Sequence, residues 1–268
     1  MNFIALLLFS ITQAAAAAPI WDSAFEFAVE GKPRAVFFDA GTSSLLVATD
    51  VKTGARVDRY SLEGKLQEKG TMDAAGDAGA LRAYDTKLFW IVGGKLKASG
   101  PHNTKLEVTK NFQDATLTDI TVLRGGKPLG VGAAGVITDE KVDATFQGIT
   151  GVYQYLDDIY LLADGKRLAR AGKAGSEAFC ENCRWLERTS AGDWLTVNGN
   201  KLLRRSGKKP AEKFLELSSA AGRPAYVFQK DPADDFILVP LPEEGKVKAF
   251  RARKEMTPQT FRPGAGAL

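Results

Sequence analysis

The sequence predicts an all-β chain that folds as a six-bladed β-propeller of four-stranded antiparallel blades. Three observations support this prediction: short apolar bursts recur six times, each burst runs into a glycine turn and a second apolar stretch, and no amphipathic helix interrupts them. The turn glycines are Gly54, Gly94, Gly135, Gly165, Gly199 and Gly245, at spacings of 40, 41, 30, 34 and 46 residues. Strand repeats with such periods are typical of propeller blades. A two-sheet sandwich would explain the strands but not their period.

Each repeat supplies the strands of one blade. A first strand precedes the burst, in segments 35–38, 80–84, 120–123, 152–155, 185–186 and 225–228. The bursts themselves are segments 45–48, 88–92, 129–131, 159–162, 194–197 and 236–239, and we expect them to be the inner strands. Alternating polar stretches downstream, such as 56–62, suit exposed outer strands.

The N-terminal segment predicts export. Residues 1–19 carry no charged side chain, segment 3–11 is almost continuously apolar, and the small residues 14–18 follow. This order is typical of a signal peptide, and the apolar run is shorter than the ~20 residues of a membrane-spanning helix. We expect a signal peptide over residues 1–17 and a periplasmic or secreted protein without a membrane span. A buried N-terminal helix is the alternative.

One propeller domain is expected to occupy residues 18–255, followed by a flexible tail over residues 256–268. The alternating segment 25–29 precedes the first blade and can supply an outer strand to the last one. That strand would close the ring and remove an open sheet edge. We expect the protein to be a monomer.

Composition excludes several kinds of partner and site. The 268 residues are 44% hydrophobic and 25% charged, which is an ordinary globular balance. A single histidine, His102, excludes histidine-based metal clusters, and two cysteines exclude a four-thiolate zinc site. Because the net charge of +4 is spread along the chain, we expect no nucleic-acid partner.

The two cysteines form the C-x-x-C motif of residues 180–183. In an exported protein this spacing predicts a structural disulfide between Cys180 and Cys183, ahead of the fifth blade. A redox-active pair is the alternative, but no thioredoxin-like βαβ pattern surrounds the motif.

The first and last repeats carry a family resemblance. Segments 32–39 (KPRAVFFD) and 45–50 (LLVATD) form one similar stretch, and Asp231-Pro232 with segments 237–241 and 245–247 forms the other. They resemble the opening and final blades of the senescence marker protein/gluconolactonase/luciferin-regenerating enzyme-like propellers. The resemblance implies the same fold, in a divergent exported bacterial member, and points to a metal-dependent lactonase activity as one possibility.

The resemblance also implies where a family metal, usually calcium, would be held: on carboxylate and amide oxygens at the starts of inner strands. The matching positions here hold Arg34, Thr118, Thr150 and a residue near Cys183, while Asp119 matches a family aspartate. A guanidinium in place of a carboxylate reverses the local charge. We therefore expect no metal and no other cofactor, with calcium retained only under the lactonase alternative.

In the family register, Arg34, Thr118, Asp119 and Thr150 converge at one mouth of the ring. An arginine among hydroxyls can orient a carboxylate, a phosphate or a sugar-like group through its planar donors. Alternatively, Arg34 pairs with Asp119 and plugs the channel.

Three function classes remain. We expect a non-catalytic exported propeller that has lost the family metal site and binds a small anionic or sugar-like ligand or a protein partner. A metal-dependent lactonase or hydrolase of the gluconolactonase-like type is the first alternative, and a redox module is the second. No catalytic residue is identified, and the fold alone does not choose between these classes.

Overall fold

The structure is a computed structural model, and it describes residues 21–70, 73, 76–99 and 110–252. The predicted signal peptide, His102 and the predicted tail lie outside these residues. The described residues form 23 strands in six antiparallel sheets, together with one short α-helix, α1 (Lys110–Gln113), and two 3-10 helices, Pro232–Asp234 and Pro242–Glu244. None of the helices described is long and apolar enough to cross a membrane.

The strands follow the chain blade by blade after an initial strand, β1 (Trp21–Ala28). The first blade contains β2 (Lys32–Asp39), β3 (Ser44–Val51), β4 (Gly54–Tyr60) and β5 (Leu66–Glu68). The described part of the second contains β6 (Ala78–Tyr84), β7 (Lys87–Val92) and β8 (Lys95–Ser99). The third contains β9 (Leu117–Val122), β10 (Pro128–Gly132), β11 (Gly135–Ile137) and β12 (Val142–Asp143).

The remaining blades repeat this arrangement. The fourth contains β13 (Ile149–Tyr155), β14 (Asp158–Ala163), β15 (Arg167–Arg170) and β16 (Ser176–Ala178). The fifth contains β17 (Arg184–Arg188), β18 (Trp194–Asn198), β19 (Lys201–Arg205) and β20 (Glu212–Glu216). The sixth contains β21 (Ala225–Val227), β22 (Phe236–Leu241) and β23 (Lys246–Ala252). The predicted six-bladed propeller is confirmed.

The ring is closed by the N-terminal strand. β1 pairs antiparallel with β23, from Trp21 opposite Ala252 to Ala28 opposite Lys246, and becomes the outer strand of the sixth blade. The prediction that segment 25–29 closes the ring is confirmed, although the strand begins earlier, at Trp21, and ends at Ala28. The first and last strands that the structure describes therefore belong to one blade.

The bursts occupy the second strand of each blade, so the prediction that they form the inner strands is wrong by one position. The innermost strands are β2, β6, β9, β13, β17 and β21, which pack side by side around the channel. The second strands read as apolar bursts because neighbouring strands and neighbouring blades cover them on all sides. All six residues of β22, for example, are buried. The innermost strands carry polar residues that face the channel.

The core lies between the blades. Six clusters of buried apolar side chains each join one blade to the next around the ring. In β3, Leu45 and Val47 pack toward the sixth blade, whereas Leu46 and Ala48 pack toward the second. This division follows from the alternation of side chains along a strand.

Candidate functional site

The innermost strands share a β-bulge near their starts. Arg34, Thr118 and Thr150 each lie at a register shift against the second strand of their own blade. Similar shifts occur at Gly79 in β6 and at Trp185 in β17. Because a bulge breaks the alternation of a strand, it re-aims the side chain that it carries. Five blades thus present an irregular residue at the same end of the channel.

A cavity of about 750 Å³ opens at this end of the ring, and we call it the mouth cavity. Its lining includes four of the bulge residues, Arg34, Gly79, Thr118 and Trp185. The volume falls within the range of small-molecule sites. The structure thus brings two of the predicted residues, Arg34 and Thr118, to one cavity, while Asp119 and Thr150 do not line it.

Arg34 is held at the mouth by Asp50. Its Nε donates to Oδ2 of Asp50 at 2.5 Å, and Oδ1 of Asp50 accepts from the backbone N–H of Ala78 at 2.5 Å. Within the described residues, the two terminal nitrogens of Arg34 donate no hydrogen bond. The carboxylate therefore orients the guanidinium and leaves its outer edge open to the cavity.

Arg184 and Trp185, from the fifth blade, form another part of the wall of the mouth cavity. The guanidinium of Arg184 is exposed and lies 5.2 Å from the centre of the Trp185 ring. No carboxylate of the described chain forms an ion pair with it. Trp185 has φ +60°, a left-handed conformation that is unfavourable for a bulky side chain. Such strain persists only where the surroundings enforce it, and it clusters at ligand sites.

Two carboxylates also border the mouth cavity. Glu243 is exposed and pairs with Lys32 at 3.2 Å, and Asp77 is exposed at the rim. Their negative charge opposes the arginines at the edge of the cavity. A ligand with one anionic group suits this arrangement better than a polyanion, because further negative charge would meet the rim carboxylates.

Thr118 and Thr150 join neighbouring blades. The hydroxyl of Thr118 donates to the carbonyl of Ile149 at 2.6 Å, and that of Thr150 donates to the carbonyl of Cys183 at 2.9 Å. Each bond runs from the bulge of one innermost strand to the start of the next blade. Both hydroxyl protons are therefore engaged within the ring.

A buried charge cluster crosses the channel further along the innermost strands. Arg223 Nε donates to Asp119 Oδ1 at 2.7 Å, and Arg223 Nη1 donates to Glu187 Oε1 at 2.5 Å. Arg82 Nη2 reaches the same Glu187 oxygen at 3.2 Å. The four side chains come from blades two, three, five and six, and all are buried. They link opposite sides of the ring and close the channel beneath the mouth cavity.

Burial is the main influence on the pKa values of the two carboxyl groups in this cluster. It raises the pKa of Asp119 to about 7 and that of Glu187 to about 8, against the opposing attraction of the Arg82 guanidinium. Asp119 also accepts backbone N–H bonds from Ile120 at 2.9 Å and from Val152 at 3.0 Å. Its oxygens are therefore surrounded by donors.

The alternative in which Arg34 pairs with Asp119 is wrong, because Arg34 pairs with Asp50 and a different arginine closes the channel. Sequence analysis missed Arg223, Glu187 and Arg82. Arg223 lies in the short Gly-Arg-Pro segment before the last blade, and 104 positions separate it from Asp119. Only the closure of the ring brings them together, so no local pattern signals the pair.

Cys180 and Cys183 are joined by a disulfide in the structure. Cys183 is buried, and its N–H donates to the carbonyl of Gly165 at 2.8 Å. Arg184 and Trp185 follow immediately along the chain. The disulfide loop thus anchors the segment that forms one wall of the mouth cavity.

The fold and the closed channel define a class: a six-bladed β-propeller with a ligand-sized cavity at one mouth. Among solved structures, the chain is similar to a gluconolactonase from Xanthomonas campestris, with TM-score 0.66 and 12% identity, covering 90% of this chain and 94% of that one. It is also similar to virginiamycin B lyase from Staphylococcus aureus, with TM-score 0.62 and 12% identity, covering 87% of this chain and 100% of that one.

These neighbours agree with the resemblance of the sequence to gluconolactonase-like propellers, and at such identities they establish the fold alone. No family model matches the chain, and no curated protein matches its sequence.

Proposed function

We propose that this protein is an exported, non-catalytic propeller whose mouth cavity binds a small polyhydroxylated ligand with one anionic group, such as a sugar acid. The observation that carries the proposal is the Arg184–Trp185 wall. There a guanidinium without a carboxylate partner in the described chain lies against an aromatic ring held in a strained conformation. A cavity of about 750 Å³ adjoins it.

Each part of the cavity has a role in this proposal. Arg34, oriented by Asp50, and Arg184 offer planar donors that match a carboxylate or a phosphate. The ring of Trp185 covers an apolar face of the ligand. Asp77 and Glu243 at the rim limit the negative charge that the cavity accepts and supply acceptors for hydroxyl groups.

The proposal includes the loss of the family metal site, because the residues at the family's metal positions do not fit a hard dication. Arg34 brings a positive charge, and the hydroxyls of Thr118 and Thr150 point their protons at carbonyls. The oxygens of Asp119 accept from Arg223 and from two backbone N–H groups. A calcium ion needs several oxygens that converge with free lone pairs.

Export is the cellular part of the proposal. Its supports are the apolar N-terminal segment with its row of small residues and the disulfide, since disulfides persist in oxidising compartments.

The test is calorimetric titration with D-gluconate, D-glucarate, D-glucose and calcium chloride. We expect gluconate to bind more tightly than glucose or glucarate, and calcium not to bind. Arg184→Gln should weaken gluconate binding at least tenfold, which corresponds to about 1.4 kcal/mol. Lys52→Gln serves as the matched control, because Lys52 is exposed in the turn between β3 and β4 on the same side of the ring and does not line the cavity.

Two results would reject the proposal. One is the absence of binding for every organic probe. The other is micromolar calcium binding together with calcium-dependent hydrolysis of D-gluconolactone, which would favour the lactonase alternative.

A further inference from the structure

The wall that blades two and three contribute to the mouth cavity differs from the parts that carry the arginines. It is formed by the start of β6, the end of β7, the turn after β7 and the start of β9. Two polar residues belong to it: Asp77 is exposed at the rim, and Thr118 donates its hydroxyl proton to the carbonyl of Ile149. Its residues without a polar side chain include six that we call the apolar wall: Ala78, Gly79, Ala80, Ile91, Gly94 and Leu117.

Two side chains of the apolar wall connect the cavity with the core. Ile91 and Leu117 are 3% and 4% exposed and belong to the buried apolar cluster between blades two and three. Gly79 lies at the β-bulge of β6, and a Cβ there would lie 3.0 Å from Cβ of Ile91. Because glycine has no side chain, Ile91 borders the cavity at this point. A polar ligand group here would lose its hydrogen bonds to water without replacement, whereas an apolar group would gain by leaving water.

The apolar wall lies across the ring from Arg184 and Trp185. Blade two is opposite blade five in a ring of six, and the bond of Arg82 in β6 to Glu187 in β17, at 3.2 Å, crosses the channel between these two blades. Arg34 belongs to blade one. The cavity thus has its arginines on blades one and five and its apolar wall on blades two and three.

The volume of the cavity leaves room for a ligand that contacts both sides. At about 750 Å³ it lies in the upper half of the range of roughly 300–1,000 Å³ that small-molecule sites span. A free sugar acid carries hydroxyl groups along its whole length, so it has no apolar part to place against Ile91 and Leu117. A ligand that fills the cavity therefore needs an apolar group besides its anionic one.

We infer that the ligand is a glycosiduronic acid, in which a sugar acid is joined to an apolar aglycone. The inference rests on the proposed function, from which it takes the sugar acid, and it adds the group that occupies the apolar wall. The carboxylate pairs with Arg184, the ring of Trp185 covers the sugar, and the aglycone packs against the apolar wall. One ligand then matches both sides of the cavity.

The first experiment is calorimetric titration with D-gluconate, methyl β-D-glucuronide and phenyl β-D-glucuronide. The two glucuronides share the sugar and the carboxylate and differ in the aglycone alone. We expect the phenyl compound to bind about tenfold or more tightly than the methyl compound, because its ring leaves water at the apolar wall. Its heat capacity change on binding should also be more negative, which is the signature of apolar burial.

The second experiment changes the apolar wall. Gly94→Asn places an amide there: asparagine tolerates the φ of +73°, and the neighbouring Thr116, 3.1 Å from the new Cβ, is exposed and can move aside. The variant should reduce the preference for the phenyl compound to about threefold or less. Gly199→Asn is the matched control and should keep the preference. Gly199 also lies between the second and third strands of its blade, with φ +58°, and does not line the cavity.

Three results would overturn the inference. Equal affinities for the two glucuronides do so, and they leave the proposed function intact if gluconate still binds. An unchanged preference in Gly94→Asn does so as well, because the aglycone then lies elsewhere. The absence of binding for all three compounds rejects the inference together with the proposed function.

Discussion

Arg223 links four blades through one residue. Its side chain is fully buried and bonds to Asp119 and Glu187, while its backbone N–H donates to the carbonyl of Arg34 at 2.7 Å. Its own carbonyl accepts from Val36 at 3.1 Å. The charge cluster therefore depends on this side chain more than on any other member.

The exchange of Arg223 for methionine tests this dependence. Arg223→Met should destabilise the protein by about 3–5 kcal/mol, because it leaves the Asp119 carboxyl buried without its guanidinium. The double variant Arg223→Met/Asp119→Asn should recover most of that loss, since the neutral amide oxygen still accepts from a backbone N–H and the Arg82–Glu187 pair stays intact. Urea unfolding measures both free energies. A double variant no more stable than the single one would contradict the assignment.

For individual residues, the sequence predicts only part of the site. The repeat places Arg34 and Thr118 at strand starts, so their arrival at one mouth is predictable. The bond between Arg223 and Asp119 depends on the diameter of the ring, which no local pattern encodes. The left-handed backbone conformation of Trp185 is equally unpredictable from the sequence, because tryptophan has no preference for that conformation.

Among the structural elements, β13 and β17 meet most closely at Gly151. A Cβ at this position would lie 2.7 Å from Cα of Trp185, closer than real atoms approach. The obstacle is backbone and cannot rotate away. The absence of a side chain in β13 therefore allows β17 to carry its bulge and to hold Trp185 at the mouth cavity.

Gly151→Ala should force these two strands apart. We expect a loss of about 1–3 kcal/mol from overpacking, and weaker gluconate binding because Trp185 moves. Gly172→Ala is the control: its φ is +72° and a Cβ there meets nothing within 4 Å, so only backbone strain of about 1–2 kcal/mol is added. Thermal unfolding and gluconate titration distinguish the two. Equal effects of both substitutions on binding would contradict the role of Gly151.

Strand positions were predictable from periodicity, but their radial order was not. Segment 236–239 is entirely apolar because β22 is covered on every side, and burial of this kind does not reveal which strand faces the channel. The polar residues that do face it, such as Asp119 in β9, are few. They look like ordinary surface positions in the sequence.

The molecule as a whole is held in a ring by β1. Besides pairing with β23, this strand buries Phe27 against Tyr60 of the first blade, with ring centres 5.0 Å apart. It therefore joins the sixth blade to the first one as well as covering an edge.

A chain that begins at Val29 lacks this closure and should be less stable and prone to associate through the exposed edge of β23. The loss of Phe27 alone accounts for about 3–5 kcal/mol. A chain that begins at Ala18 keeps β1 and is the matched control. Urea unfolding and gel filtration compare the two. The same unfolding midpoint for both chains would show that the ring does not need β1.

The closure by β1 also sets the order in which the protein can fold. The ion pair of Glu26 with Lys246 bridges 220 positions of sequence, so the last blade forms only after β23 has been synthesised. Contacts this distant are slow to form, because the chain between them must first lose much of its conformational freedom. The first five blades can assemble from local hairpins while the sixth waits. A nascent chain thus carries its first strand without the β23 partner until that strand is synthesised, and we expect ring completion to be a slow, late step of folding.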